Sequence, residues 1–406
     1  MSEWERGTLE DVLVEVDDRN ADGAATLVLS VTEGRGIVPQ TEVFRKRIAT
    51  DDTTKYKVVQ PLDIAWNPYL LWAGAVGQWL GSEPGVTSPV YPIFRTRPDQ
   101  DARFWGLVLG SGVLTPYFDS TAVGSIQRRR RTTLPVFNAA TVSIPPVADQ
   151  RRIADVIAAV DAQIEALEAE LGRARATLAR TSTDIIDALP ETRALGEFTE
   201  TRSGPSYAAA DVATTSKPGS VPVIGIPNTK PDGSLDLSEI GYVTGLAKSV
   251  ATIDEASLVL IRTNGNRQRI GNVYLPPAEA HGHAVSAFQF LMKVDDPLDR
   301  EFVYWLLREP SMQTAMSEAA SGTTGLGNLA VRWLNATDVP WSDNPDNRAA
   351  VVAPLRALQD AIDGLSAELR HLRAFRSTLL TALLSQEIEI PESYDALLEP
   401  EMSGAS

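Results

Sequence analysis

Ile157-Ala158-Ala159-Val160-Asp161-Ala162-Gln163-Ile164-Glu165-Ala166-Leu167-Glu168-Ala169-Glu170-Leu171 lies inside a stretch, residues 144–190, whose apolar residues recur every seventh position. One series is Ile157, Ile164, Leu171, Leu178 and Ile185; a second, three residues behind, is Val160, Leu167, Ala174, Thr181 and Ala188. This is the a/d seam of a coiled coil, sustained for about five heptads. Adding 198 to each number gives Leu355, Ile362, Leu369, Arg376, Leu383 and Leu358, Leu365, Leu372, Leu379, Gln386. The seam is therefore present twice and in phase. Only Thr181, Arg376 and Gln386 break it.

Each helix would span roughly 55–60 Å at about 1.5 Å per residue. Parallel pairing would force the intervening segment to bridge that whole length, so antiparallel pairing is the cheaper arrangement. The expected fold is α+β: two similar β-rich α/β domains separated by a long antiparallel two-helix coiled coil, a dumbbell built from two half-repeats. The expected divisions are 1–143 for the first domain and 144–190 for the first helix. Residues 191–338 form the second domain, 339–390 the second helix and 391–406 an acidic, frayed tail.

Around this frame, residues 1–143 read as β-rich with one helix. Thr26 to Val31 and Val90 to Phe94 have strand composition, and Phe104 to Leu109 is helical. The second domain repeats the plan, with strands at Val221 to Ile226, Leu258 to Arg262 and Ala287 to Val294 and a helix at Glu301 to Leu307. Leu9-Glu10-Asp11-Val12 matches Leu195-Gly196-Glu197-Phe198. Where the first domain carries Arg128-Arg129-Arg130-Arg131, the second carries the loop Ser321-Gly322-Thr323-Thr324-Gly325-Leu326-Gly327-Asn328.

The 406 residues contain no cysteine, which excludes disulfides and thiolate metal sites. The opening Met1-Ser2-Glu3-Trp4-Glu5-Arg6 is polar and acidic, unlike a signal peptide, and no apolar run approaches membrane length. A cytoplasmic protein without a membrane partner is expected. The net charge of −16 weighs against nucleic acid as a partner. It is uneven, however: residues 1–144 hold 15 basic and 17 acidic side chains, whereas residues 342–406 hold 5 and 11. Screening limits exposed charges to about 10 Å of reach, so a local basic patch can act despite a distant acidic tail.

Two domains, each followed by a long helix, resemble the specificity subunit of a type I restriction–modification system. Ile144-Pro145-Pro146-Val147-Ala148-Asp149-Gln150-Arg151-Arg152-Ile153 is similar to that family's entry into its first spacer helix, and Leu379-Leu380-Thr381-Ala382-Leu383-Leu384-Ser385 with Glu389-Ile390-Pro391 to its exit from the second. Ile261-Arg262-Thr263-Asn264-Gly265-Asn266 and the Gly322-to-Asn328 loop resemble its target-recognition domains. Ala73-Gly74-Ala75-Val76-Gly77 and Ser88-Pro89-Val90-Tyr91 stand at the matching positions of the first domain. One departure is Val339-Pro340-Trp341-Ser342-Asp343-Asn344-Pro345, which lacks the Pro-Pro and Gln of the first entry; another is Pro354, inside the second helix.

The resemblance implies a non-catalytic chain that reads a bipartite double-stranded DNA target and holds DNA methyltransferase subunits, two of them, on it. Restriction subunits would join where the system includes them. S-adenosylmethionine, and ATP with Mg for a restriction subunit, would then be bound by the partner chains, leaving this chain without a cofactor. The residues agree: no glycine-rich loop ends in Gly-Lys-Ser or Gly-Lys-Thr. Asn67-Pro68-Tyr69 reads as a strand-end turn rather than a methyltransferase tetrapeptide, and His281-Gly282-His283 as a loop pair rather than a metal site. No catalytic or metal-binding residue is expected.

Candidate DNA contacts are Arg262, Thr263, Asn264, Asn266, Arg267, Gln268 and Arg269, since Arg pairs with guanine and Asn or Gln with adenine in the major groove. The plain alternative is a hydrophilic turn. Thr323, Thr324 and Asn328 occupy a glycine-rich loop that could approach phosphates or serve as a linker. Arg128, Arg129, Arg130 and Arg131 would grip the phosphate backbone, or else form a solvated run or meet an acidic protein. The clustered Trp66, Trp72, Trp79 and Trp105 read as core rather than stacking platforms. The rival function is a dumbbell-shaped scaffold of another defence complex that binds only proteins.

Overall fold

The computed structural model describes residues 4–44, 49–50, 52–124, 130–322 and 325–395. The two helices foretold by the seams are Val147–Asp187 and Pro345–Leu384. Their first series is buried where it was expected: Ile157, Ile164 and Leu171 in one helix, Leu355, Ile362, Leu369 and Leu383 in the other, each below one-tenth exposed. The second series is half-buried along most of its length, as at Val160, Leu358, Leu365 and Leu372.

The chain divides into two compact units, 1–167 with 368–406, and 168–367. In the first unit Ile153 and Ile157 share a core with Leu380 and Leu383, and Asp161 takes both ends of the Arg376 guanidinium. The polar break at Arg376 is thus matched by a carboxylate across the seam. In the second unit Leu178 and Ile185 pack on the core that holds Val351 and Leu355. In each unit later residues of one helix meet earlier residues of the other, so the pairing is antiparallel. Pro354 lies inside the second helix, which runs through it at the expense of one backbone hydrogen bond.

Both units repeat one topology. In the first, Leu13–Val16, Ile93–Thr96, Ile64–Trp66 and Val76–Gln78 form an antiparallel sheet in that order. In the second, Thr199–Ser203, Gln289–Val294, Ser257–Ile261 and Val273–Tyr274 do the same. Each unit adds a second four-stranded sheet with one parallel pair, Leu27–Thr32 with Gly85–Thr87 and Val221–Ile224 with Ala284–Val285. Each closes with a short ribbon leading into its long helix, Glu5–Thr8 on Thr141–Ile144 and Glu191–Ala194 on Asp338–Trp341. Ser257–Ile261 is buried at all five positions, so its sequence is a continuous apolar run rather than an alternation. Gly77 is required by close approach: a Cβ there would lie 2.6 Å from the Gly36 Cα.

The first unit holds more helix than its sequence suggests: Ala102–Gly110, Thr115–Thr121 and Leu134–Asn138. The last two carry proline at their second position and bury one side chain each, Phe118 and Phe137, too little to mark a period. Val90 to Phe94 is also displaced, because Pro89 and Pro92 hold the strand back to Ile93–Thr96. The tail is not frayed at its start. Glu392–Tyr394 forms a single turn, and Asp395 pairs with Arg152 through two contacts of 2.7 Å. Trp66, Trp79 and Trp105 are buried, as core residues should be.

In the second unit Glu309 caps Pro310–Ala319 and ties it to the first long helix through the Thr183 hydroxyl, at 2.6 Å. Burial alone would raise this carboxyl. Hydrogen bonds from Ser311, Thr183 and the Met312 N–H outweigh it and hold the pKa below the ordinary value. A depressed carboxylate stabilises the fold above its unfolded pKa and loses that contribution as pH falls through the folded one. Glu309→Gln should therefore flatten the acid limb of a stability-versus-pH curve for this unit, read by denaturant midpoints between about pH 6 and pH 3. An unchanged acid limb would place the titration elsewhere.

Candidate nucleic-acid interface

Ser257–Ile261 delivers the chain into the donor-rich loop that the sequence singled out. Arg262 and Thr263 both donate their N–H groups to the Phe288 carbonyl, at 2.9 and 3.1 Å, while the Arg262 carbonyl accepts the Leu329 N–H at 2.9 Å. Thr263–Asn264 then pairs antiparallel with Gly327–Asn328, and the Thr263 hydroxyl donates to Asn328 Oδ1 at 2.8 Å. Two loops some sixty residues apart in sequence are therefore one structure, with the Phe288 turn as its third member. Gly322 permits the return: its φ is +137°, and a Cβ there would strike the Leu326 carbonyl at 2.2 Å.

Within this cluster the candidates divide. Asn266 caps the single turn Arg267–Arg269, accepting the Gln268 N–H at 3.1 Å, and Asn264 Oδ1 accepts the Asn266 N–H at 2.8 Å. Three of the arginines are turned to the protein. Arg269 hydrogen-bonds to the Thr229 carbonyl, Arg267 to the Ala320 carbonyl, and Arg262 lies 5.6 Å from the Phe290 ring centroid. Gln268 is exposed and makes no side-chain hydrogen bond among the described residues. Asn266, Arg267 and Gln268 are exposed, and Asn264 is half-buried. Thr323 and Thr324 lie outside the described residues.

The same stitching recurs in the first unit with unlike residues. Trp66 donates to the Pro92 carbonyl, as Arg262 does to Phe288. Thr132 donates to the Pro68 carbonyl at 2.9 Å, two residues beyond Trp66, where in the second unit Leu329 donates to Arg262 itself. Val123 and Arg131 bridge as Ser321 and Asn328 do. The counterpart of the 262–272 loop is therefore 67–75; of the stretch Ala73 to Gly77 read from the sequence, Ala73, Gly74 and Ala75 lie in it, while Val76 and Gly77 belong to the strand Val76–Gln78. Asn67-Pro68-Tyr69 is a turn at a strand end: Asn67 Oδ1 accepts the Tyr69 N–H at 3.0 Å. Arg130 is pinned, with Asp119 at 2.7 Å and the Trp72 ring centroid at 4.7 Å, whereas Arg131 is exposed. Arg128 and Arg129 lie outside the described residues.

The sequence reading missed Tyr69, Leu70 and Phe288, which stand 49%, 39% and 50% exposed in these loops. Their signal was available: each follows a buried strand or a turn and is apolar where no core can receive it. Burial raises the neighbouring Tyr91 phenol above its ordinary pKa, and Tyr69 adds to the effect. His281 and His283 sit on a turn, and no metal-binding group of side chains occurs among the described residues. No helix among them is long and apolar enough to cross a membrane.

No protein-family model matches this chain, and no curated protein matches it. Solved structures do. One is the S subunit of a type I restriction-modification system from M. genitalium, at 13% identity over 94% of this chain and 96% of that one, with a TM-score of 0.52. Another is a chain from a structure concerned with complex assembly and conformational transition of the type I R-M system, at 13% identity over 94% and 97%, with a TM-score of 0.57. At this identity the likeness is one of fold. The chain has the fold of type I restriction-modification S subunits.

Proposed function

We propose that this chain is the DNA-reading subunit of a type I restriction–modification system. One observation carries the reading: in both units backbone hydrogen bonds tie three loops into one cluster at like places, yet different side chains fill it. A repeated frame with exchanged contents suits two readers of two different half-sites. The paired helices between the readers set the unread gap. Methyltransferase subunits, and restriction subunits where present, bring S-adenosylmethionine and ATP chemistry to the DNA; this chain supplies none. Arg131, with Arg128 and Arg129 beside it in sequence, contacts phosphate.

We assign base reading to Gln268 and Asn264 rather than to Arg262 and Arg269, a choice supported by the protein contacts of those two guanidinium groups. Changing both to alanine should relax the second half-site by about 1–3 kcal/mol for each bidentate pairing with a base edge that is removed. The first half-site should be unaffected. Methylated motifs from cells carrying the variant with its methyltransferase would show this. An unaltered second half-site would remove the loop from the reading surface. If the purified chain, with and without methyltransferase, binds no duplex DNA, the protein-only scaffold is the better account.

A further inference from the structure

A cavity of about 430 Å³ opens beside the first unit's loop cluster. Residues 28–32 of strand Leu27–Thr32, together with Thr87, Tyr56, Tyr91, Asn67 and Leu70, are among those that line it. The volume lies within the range of small-ligand sites. Asn67 is 7% exposed, donates to the Tyr91 hydroxyl at 3.0 Å and accepts the Tyr69 N–H at 3.0 Å. One N–H and one lone pair of this amide remain for a ligand. Tyr56, Tyr91 and the Asn67 amide fit a flat ring that stacks on aromatic side chains and hydrogen-bonds at its edge.

Resting on the DNA-reading assignment above, we propose that the first unit draws one nucleobase of its half-site out of the duplex into this cavity. Proteins that extrude a base need a pocket with stacking walls and fixed polar groups, and an apolar side chain to hold the gap left in the stack. Tyr56, Tyr91 and Asn67 supply the first. Leu70 lines the cavity, is 39% exposed, follows the exposed Tyr69 and supplies the second. The extruded base is a recognition base, distinct from the adenine that a methyltransferase subunit methylates.

The test uses the full chain, alone and assembled with its methyltransferase, on duplexes carrying 2-aminopurine at successive positions of the first half-site. Positions that bear the methyl mark are left out. The expected result is a several-fold fluorescence rise at one remaining position. Leu70→Ala, at an exposed site, should diminish the rise, and Ser88→Trp, which fills the cavity, should abolish it. A mismatch opposite that base should tighten binding roughly tenfold, because the pair is already broken. DNA bound with no rise at any position overturns the extrusion and leaves the reading intact. A rise that both variants leave unchanged overturns this cavity as the destination. Absence of DNA binding in every form overturns the reading itself and the extrusion with it.

Discussion

Arg348→Met is expected to destabilise the second unit by about 3–5 kcal/mol, the usual cost of removing one partner from a buried ion pair. The Arg348 guanidinium holds Asp299 through two contacts of 2.7 and 2.8 Å and donates to the Ser342 carbonyl at 2.7 Å. It also lies 4.6 Å from the Trp341 ring centroid. The two side chains are only 10% and 12% exposed. Methionine fills much of the space and satisfies neither the carboxylate nor the carbonyl. Leucine at Asp299 in the same chain should recover part of the loss, since the penalty is chiefly the stranded charge. Denaturant midpoints report the change, and amide exchange over Arg300–Arg308 and the start of the second helix locates it. A loss below about 1 kcal/mol would mean that the pair is solvated and behaves as a surface bridge.

This ion pair also explains the departure at the second helix entry. Gln150, fully buried, occupies the corresponding place in the first unit. It donates to Gln100 Oε1 at 2.7 Å and to the Pro145 carbonyl at 2.8 Å, and accepts the Asp101 N–H at 2.9 Å. Both long helices are thus locked to their own domain at the same turn, one by a neutral amide and one by charge. The missing Gln marks a different lock at the same position.

The helices were legible because their burial has a period, and a seam of seven survives any detail of the globules. The repeat was legible for the same reason, although Thr115–Thr121 and Leu134–Asn138 are helices too short to show one. The loop cluster was legible as composition: Arg262 to Arg269 and Gly322 to Asn328 are rich in donors and glycine. Which donors face outward was not. Arg267 and Arg269 are caught by the carbonyls of Ala320 and Thr229, which lie 53 and 40 residues away in sequence. Arg130 is held by a tryptophan and an aspartate of its own unit. No local pattern announces such partners. The apolar residues of the first loop were overlooked because a search for base contacts favours polar side chains, although wedges and stacking rings also serve.

If the paired helices space two DNA readers, as proposed, lengthening both helices should lengthen the unread gap. One heptad inserted after Leu171 and another after Leu369 adds about 10.5 Å along the pair at 1.5 Å per residue. A whole heptad keeps the seam in register, with about 20° of residual rotation. Insertion in one helix alone would slide one seam past the other and break the pairing of Arg376 with Asp161. The methylated motif of the double-insertion variant, assembled with its methyltransferase, should keep both half-sites. Its unread gap should widen by up to about three base pairs at about 3.4 Å each. An active complex whose gap is unchanged would mean that something other than the helices sets the distance.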